Sequence, residues 1–217
     1  MQYSLIVFDW DGTLMDSTHS IVAAIQGACR DLDLPVPSVS SASWVIGLSL
    51  ETALRRAVPD LTAALMPRFL ERYRIHYLTR DPELRLFEGI PGLLDDLAGR
   101  DVRLAVATGK SRVGLDRVLA TTGLGPRFET TRCADESFSK PHPAMLHEIM
   151  DELDVAADQV LMVGDTSHDL QMAVNAGVHG LGVTYGAHTL DDLVRCGPQG
   201  VVGDVPALRD WLLARVR

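Results

Sequence analysis

The architecture of the chain turns on one segment, Leu5-Ile6-Val7-Phe8-Asp9-Trp10-Asp11-Gly12-Thr13-Leu14. Four apolar residues run unbroken and stop at Asp9. That is the pattern of a strand buried on both faces, as in a parallel sheet covered by helices. Comparable runs recur at Val102 to Ala107 and Val160 to Val163, and more weakly at Leu181 to Val183 and Val201-Val202. Helical spacing separates them, in Leu115, Val118 and Leu119 and again in Leu146, Ile149, Met150 and Leu153. Strand and helix in alternation predict an α/β fold with a Rossmann-like parallel sheet.

Between Asp16 and Phe87 no strand pattern stands out. Ile21, Val22, Ile25, Cys29 and Leu32 keep helical spacing, as do Leu50, Ala53, Leu54, Ala57 and Val58, and then Phe69, Leu70, Tyr73 and Tyr77. Pro35, Pro37 and the serine-rich stretch Ser38 to Ser43 break the first helix from the second, and Leu86 to Gly92 has the composition of a return hinge. The expected organisation is an α/β core from residues 1–15 and 88–217 with an all-helical domain, 16–87, inserted after the first strand.

Composition narrows the function. With 47% hydrophobic and 23% charged residues the 217-residue chain can build a full core. The formal net charge of −9 argues against general nucleic-acid binding, which rests on Lys and Arg. It leaves room for an anionic small molecule, because a metal and a few local cations reverse the sign inside one cleft. No apolar run suits a membrane span, the N-terminal stretch lacks a basic leader, and Cys29, Cys133 and Cys196 form neither a zinc spacing nor a disulfide framework. A cytoplasmic protein is expected, a monomer or weak homodimer, with no nucleic-acid or membrane partner.

Ligands of open α/β sheets bind at the carboxyl ends of strands, where Asp9 and Asp11 fall. One carboxylate can attack as a nucleophile while the other moves protons. Gly12 gives the turn its freedom of φ and ψ, and Thr13 can bond the local backbone. A solvated acidic turn is the plain alternative. At the end of a later strand Thr108-Gly109-Lys110 offers a hydroxyl and free N–H groups to phosphoryl oxygens, or simply a capped connection. Lys140, in Ser139-Lys140-Pro141-His142-Pro143, is a candidate point charge or a surface lysine. Asp165 and Asp169, after Val163-Gly164, are hard oxygen ligands suited to Mg²⁺, or acidic residues opening a helix. Each piece alone is weak; four at successive strand ends, in this order, are not.

These residues resemble the motifs of the haloacid dehalogenase-like superfamily of phosphatases, in its branch with a helical cap inserted after the first motif. Asp9-Trp10-Asp11-Gly12-Thr13-Leu14 matches the first motif, Thr108-Gly109 the second, Lys140-Pro141 the third and Gly164-Asp165 through Asp169 the fourth. The chain is most similar to the phosphoglycolate phosphatase-like group. The resemblance implies that Asp9 attacks phosphorus to give an aspartyl-phosphate. It gives Asp11 the proton transfers to the leaving alkoxide and from the hydrolytic water. It implies Mg²⁺ held by the Asp9 carboxylate, the Asp11 carbonyl and Asp165, with Asp169 as a ligand or a partner of one. Thr108, the Gly109 amide and Lys140 would hold the phosphoryl oxygens. The second aspartate favours phosphate esters, since halide-removing members lack it.

Val45-Ile46-Gly47-Leu48-Ser49 resembles the cap segment that reaches the substrate. Arg55 and Arg56 are candidates for an anionic substrate group, with a solvated surface as the plain alternative. Trp10 is a candidate for packing on cap or substrate, and equally for the core. His19, His76, His142 and His168 show no metal spacing and carry no assigned role, and Met162 and Met172 belong to a core. The expected function is a Mg²⁺-dependent phosphatase acting on a small phosphate monoester, phosphoglycolate- or sugar-phosphate-like. The competing readings are a phosphoglucomutase-like phosphotransferase, a non-catalytic binding protein on the same fold, and a receiver domain, against which the insertion counts.

Overall fold

The computed structural model of the chain describes residues 2–80 and 84–216. Six strands form one parallel sheet: β1 (Leu5–Phe8), β4 (Arg103–Thr108), β5 (Thr130–Cys133), β6 (Val160–Gly164), β7 (His179–Val183) and β8 (Gly200–Val202). Their spatial order is β5-β4-β1-β6-β7-β8, so the first strand of the chain lies inside the sheet. It pairs with β4 on one side (Val7 with Ala105) and β6 on the other (Val7 with Met162).

Both faces of the sheet are covered, which is why the strand sequences are apolar without alternation. Leu5, Val7, Ala105, Ala107 and Met162 face one layer, packed with Met145, Leu146 and Ile149 of α7 (Ala144–Leu153) and Met172 and Ala173 of α8 (Ser167–Ala176). Ile6, Phe8, Leu104, Val106 and Val163 point the other way. There they meet α5 (Ile90–Ala98), α6 (Arg112–Thr122) and α10 (Val205–Leu213). The short α9 (Leu190–Val194) connects β7 to β8 and buries Leu193. The α/β architecture is the one read from the sequence. One strand escaped that reading: β5 is Thr-Thr-Arg-Cys, half-buried at the sheet edge, and has no apolar run to mark it.

The segment after β1 holds α1 (Thr18–Asp31), α2 (Val39–Trp44), α3 (Leu50–Ala57) and α4 (Met66–Arg80), with α1 packed on α4. The serine-rich stretch breaks from α1 as expected but forms a short helix of its own, opened by Ser38, whose Oγ accepts from the Ser41 N–H at 3.1 Å. Both ends of the helical segment run through a two-residue antiparallel pair. Met15 in β2 (Met15–Asp16) lies opposite Leu86 in β3 (Arg85–Leu86). Strands this short leave no periodic signal. Among the described residues no helix is long and apolar enough to cross a membrane.

Candidate active site

The carboxyl ends of β1, β4 and β6, with the loop after β5 and the start of α8, bring Asp9, Asp11, Thr108, Gly109, Lys140, Asp165 and Asp169 to one end of the sheet, without Arg55. Asp9 follows β1 and is fully buried. Lys140 Nζ lies 2.6 Å from Asp9 Oδ1 and 2.6 Å from Asp169 Oδ1, so one ammonium bridges two carboxylates. Asp165 follows β6; its Oδ1 accepts from Thr13 Oγ1 at 2.8 Å and its Oδ2 from the Ala187 N–H at 2.7 Å. Thr13 was expected to bond the local backbone. Its hydroxyl instead reaches across to Asp165, because the turn at Gly12 folds β1's exit over β6's. Gly12 has φ +85°, and a Cβ there would lie 2.1 Å from Asp165 Oδ2, so no other residue fits.

Asp169 anchors more than it displays. Its Oδ2 accepts from the Thr166 N–H at 3.0 Å and from Thr166 Oγ1 at 2.6 Å, closing a capping box at the start of α8, while Oδ1 holds Lys140. Asp9, Asp165 and Asp169 each offer an oxygen within 4.8 Å of the others. Three buried carboxylates against one ammonium leave a net charge of minus two, which the protein interior tolerates poorly. Burial raises the Asp9 carboxyl to about 7, and Lys140 opposes that shift while Asp169 and Asp11 reinforce it. Burial, with Asp9 and Asp169, pushes Asp165 well up. Burial alone would lower Lys140; Asp169 and Asp9 outweigh it and raise it, so the side chain stays charged. Asp9 Oδ2 is buried and finds no hydrogen-bond partner among the described residues. A hard dication fits this donor set in charge and in chemistry, with Asp9 Oδ2 as the oxygen left for it.

Asp11 sits apart from that cluster. Its Oδ1 accepts from Ser17 Oγ at 2.6 Å, and its Oδ2 lies 2.9 Å from Lys110 Nζ, which also donates to the Tyr77 hydroxyl at 3.0 Å. Burial would lower Lys110, but Asp11 and Tyr77 more than offset it and raise it. Lys110, Ser17 and Tyr77 were not singled out as site residues. Lys110 is adjacent to Thr108-Gly109 and was legible in principle, whereas Tyr77 arrives from α4 through tertiary packing alone. Thr108 is buried and its Oγ1 accepts from the Lys110 N–H at 3.2 Å, leaving its hydroxyl proton for a ligand.

Above these residues opens a cavity of about 930 Å³, lined by Asp9, Asp11, Thr108, Gly109 and Lys110 and by residues of α1, α3 and α4. The Val45–Ser49 segment lines it as well. Arg55 does not: it is exposed, with Nη2 2.7 Å from Glu51 Oε1 on the same helix, a surface i,i+4 pair. Arg56 lies over the Trp44 ring, 5.5 Å from its centroid. Trp10 is fully buried in a T-shaped contact with Phe128, in the core and not among the residues that line the cavity. Met162 and Met172 are core residues.

Contacts at Trp44, Ser49 and Gly109 tie the helical segment to the carboxyl end of the sheet. The Trp44 carbonyl accepts from His168 Nε2 and from His188 Nε2, each at 2.9 Å, and its indole stacks on His188 at 5.9 Å. The His188 Nδ1 accepts the Ser167 N–H at 3.0 Å, which fixes the ring as its Nε2–H tautomer. Burial holds His168 below its ordinary pKa against the pull of the Trp44 carbonyl. The Ser49 N–H donates to Ser139 Oγ at 2.8 Å. Gly109 backs onto the carbonyls of Gly47 and Leu48, 2.6 and 2.5 Å from where a Cβ would stand. His168 therefore has a structural place that its spacing did not announce.

The sheet thus carries paired aspartates just past its inner strand and a lysine spanning two carboxylates. Residues 6–183 match the haloacid dehalogenase-like hydrolase family, and the chain belongs to it. It is 38% identical over 204 residues to the "Probable phosphatase IndB" of Dickeya dadantii, covering 91% of this chain and 88% of that one. It is 35% identical over 187 residues to a phosphoglycolate phosphatase of Pectobacterium atrosepticum, covering 83% and 80%. The crystal structure of a predicted phosphoglycolate phosphatase from Haemophilus somnus 129pt superposes with a TM-score of 0.87 at 26% identity, over 99% of this chain and 98% of that one.

Proposed function

We propose that the chain is a Mg²⁺-dependent phosphatase that hydrolyses a small organic phosphate monoester through an aspartyl-phosphate on Asp9. The observation that carries this is the pairing of two differently furnished aspartates at one cavity floor. Asp9 is clamped by Lys140 with one oxygen spare; Asp11 is oriented by Ser17 and Lys110.

Asp9 attacks phosphorus in line with the ester oxygen, and Asp11, in its protonated form, delivers a proton to the departing alkoxide. Asp11 is then a carboxylate and takes a proton from the water that attacks the aspartyl-phosphate, which restores both residues and frees inorganic phosphate. Lys140, the Gly109 N–H and the Thr108 hydroxyl face the transferring group and hold its equatorial oxygens. Asp9, Asp165 and the Asp11 carbonyl would hold Mg²⁺, with Asp169 supporting them through Lys140. The ion offsets the charge that two carboxylates and a phosphate dianion bring together.

Residues 16–87 form the cap on a core of 1–15 and 88–217, and the β2–β3 pair is the stem on which it moves. The Trp44, Ser49 and Gly109 contacts support a closed position of the cap, in which water other than the attacking molecule would be kept from the phosphoryl group.

The test is phosphate release from a panel of monoesters by wild type and Asp9→Asn, each with Mg²⁺ and with EDTA. Release that needs the metal and is lost in the variant is the expected result. Undiminished release by Asp9→Asn would remove the nucleophile assignment.

A further inference from the structure

The cavity is larger and more apolar than a two-carbon phosphate requires. Its 930 Å³ lies in the range that encloses drug-sized ligands, roughly 300–1,000 Å³. Leading away from Asp9 and Asp11, its walls are Ile21 and Ile25 of α1, Leu50 and Ala53 of α3 and Leu70 of α4. Tyr73 and Tyr77 complete one side as a stacked pair, ring centroids 5.9 Å apart and planes 15° apart. At the mouth, Leu78 is 49% exposed and Val113 79% exposed, and both line the cavity. Two apolar side chains left in water at the open end of an apolar passage are what a long ligand would cover.

The charged groups along this passage are engaged or peripheral. Lys110 is bound to Asp11 and Tyr77. The Arg117 guanidinium lies over the Tyr77 ring at 5.8 Å. Glu51 is held by Arg55, and Asp135 Oδ1 accepts from the Arg112 N–H at 2.8 Å. Arg74, next to Tyr73 on α4, also lines the cavity and is exposed. The path from Asp9 through Ile25 and Leu70 is walled by apolar side chains, with Lys110, Arg74 and Arg117 as cations of the lining among the described residues.

We infer, resting on the phosphatase reading above, that the alcohol half of the substrate is bulky and largely apolar. It would lie along Ile25, Leu50 and Leu70 with its far end at Leu78 and Val113. Phosphates of short, polar bodies would leave this surface facing water and gain nothing from it.

A homologous series isolates the effect, because primary alkyl alcohols of different length are nearly equal as leaving groups. kcat/KM is measured with Mg²⁺ for ethyl, butyl and hexyl phosphate, alongside phosphoglycolate and glucose 6-phosphate. Each methylene seated on the wall should raise kcat/KM about two- to fourfold, so hexyl phosphate should exceed ethyl phosphate by more than about tenfold. Leu70→Asn should pull the hexyl-to-ethyl ratio down toward one, a ratio in which any general loss of active protein cancels. A flat series, phosphoglycolate turning over better than hexyl phosphate, or a ratio untouched by Leu70→Asn would overturn the inference alone. Absence of release from every ester would overturn the phosphatase reading and this inference with it.

Discussion

Replacing Asp9 by Asn should abolish turnover and yet make the metal-free protein more stable in neutral and alkaline solution. Burial, the largest influence, lifts the Asp9 carboxyl from its ordinary 3.8 to about 7, even with Lys140 pulling the other way. A carboxyl that holds its proton more tightly folded than unfolded stabilises the folded state most below the lower value. That contribution drains away as pH rises and is gone above about 7. At about 1.4 kcal/mol per pH unit the whole span amounts to ~4 kcal/mol. This is a large share of the roughly 5–15 kcal/mol typical of a folded domain. Asn is nearly isosteric and does not ionise. The stability gap in its favour should therefore open from near zero around pH 4 to ~4 kcal/mol by about pH 8. Urea denaturation of both proteins in EDTA across that range reads it directly. Excess Mg²⁺ should narrow the gap, since wild type keeps the oxygen that the variant has lost. A variant less stable than wild type at pH 8, or a gap that does not change with pH, would contradict the assignment of a buried, proton-holding carboxyl to Asp9.

Three further outcomes are expected. Lys140→Met removes the ammonium that bridges Asp9 and Asp169 and should cost about 3–5 kcal/mol in EDTA at pH 8, read by urea denaturation; a loss under about 1 kcal/mol would mean the carboxylates do not depend on it. Gly109→Ala sets a methyl group against the Gly47 and Leu48 carbonyls, and should lower kcat/KM by about a hundredfold by moving the cap loop. Wild-type kinetics in that variant would show that the contact has no bearing on closure. Asp11→Asn should reduce hydrolysis by about 10²–10⁴-fold, and an unaltered rate would take the proton transfers away from this residue.

What could be read in the chain beforehand followed from local physics. Leu5 to Phe8 and Val160 to Val163 are apolar at every position because both faces of those strands are covered, so runs alone located β1 and β6. Asp9, Asp11 and Asp165 stand just past legible strands, where an acidic residue is conspicuous, whereas Asp169 lies in the first turn of α8 and Lys140 in the loop after β5. Thr130 to Cys133 was invisible because an edge strand need not be apolar. The Trp44 contact with His168 and His188 joins residues 124 and 144 positions apart. No spacing rule reaches that far. Arg55 has the charge and the helix to meet an anionic group, but its direction on that helix depends on packing that the sequence does not state. Tyr77 looked like helix-core periodicity, and its hydroxyl on Lys110 emerged only when α4 was laid against the sheet's edge.

The place of β1 inside the sheet also governs how the enzyme comes into being. Its two neighbours are residues 103–108 and 160–164, so the strand that leads into Asp9 waits through most of synthesis for its partners. During that wait Leu5 to Phe8 present unsatisfied backbone and four apolar side chains, the kind of edge that invites pairing with another chain. Closure over so many residues is slow compared with helix formation. The helices of 18–80 rest on nearer contacts and can form while the sheet is still open. No nascent chain ending before Gly164 brings Asp9, Lys140 and Asp165 together. The site is thus assembled late and all at once, when the sheet closes.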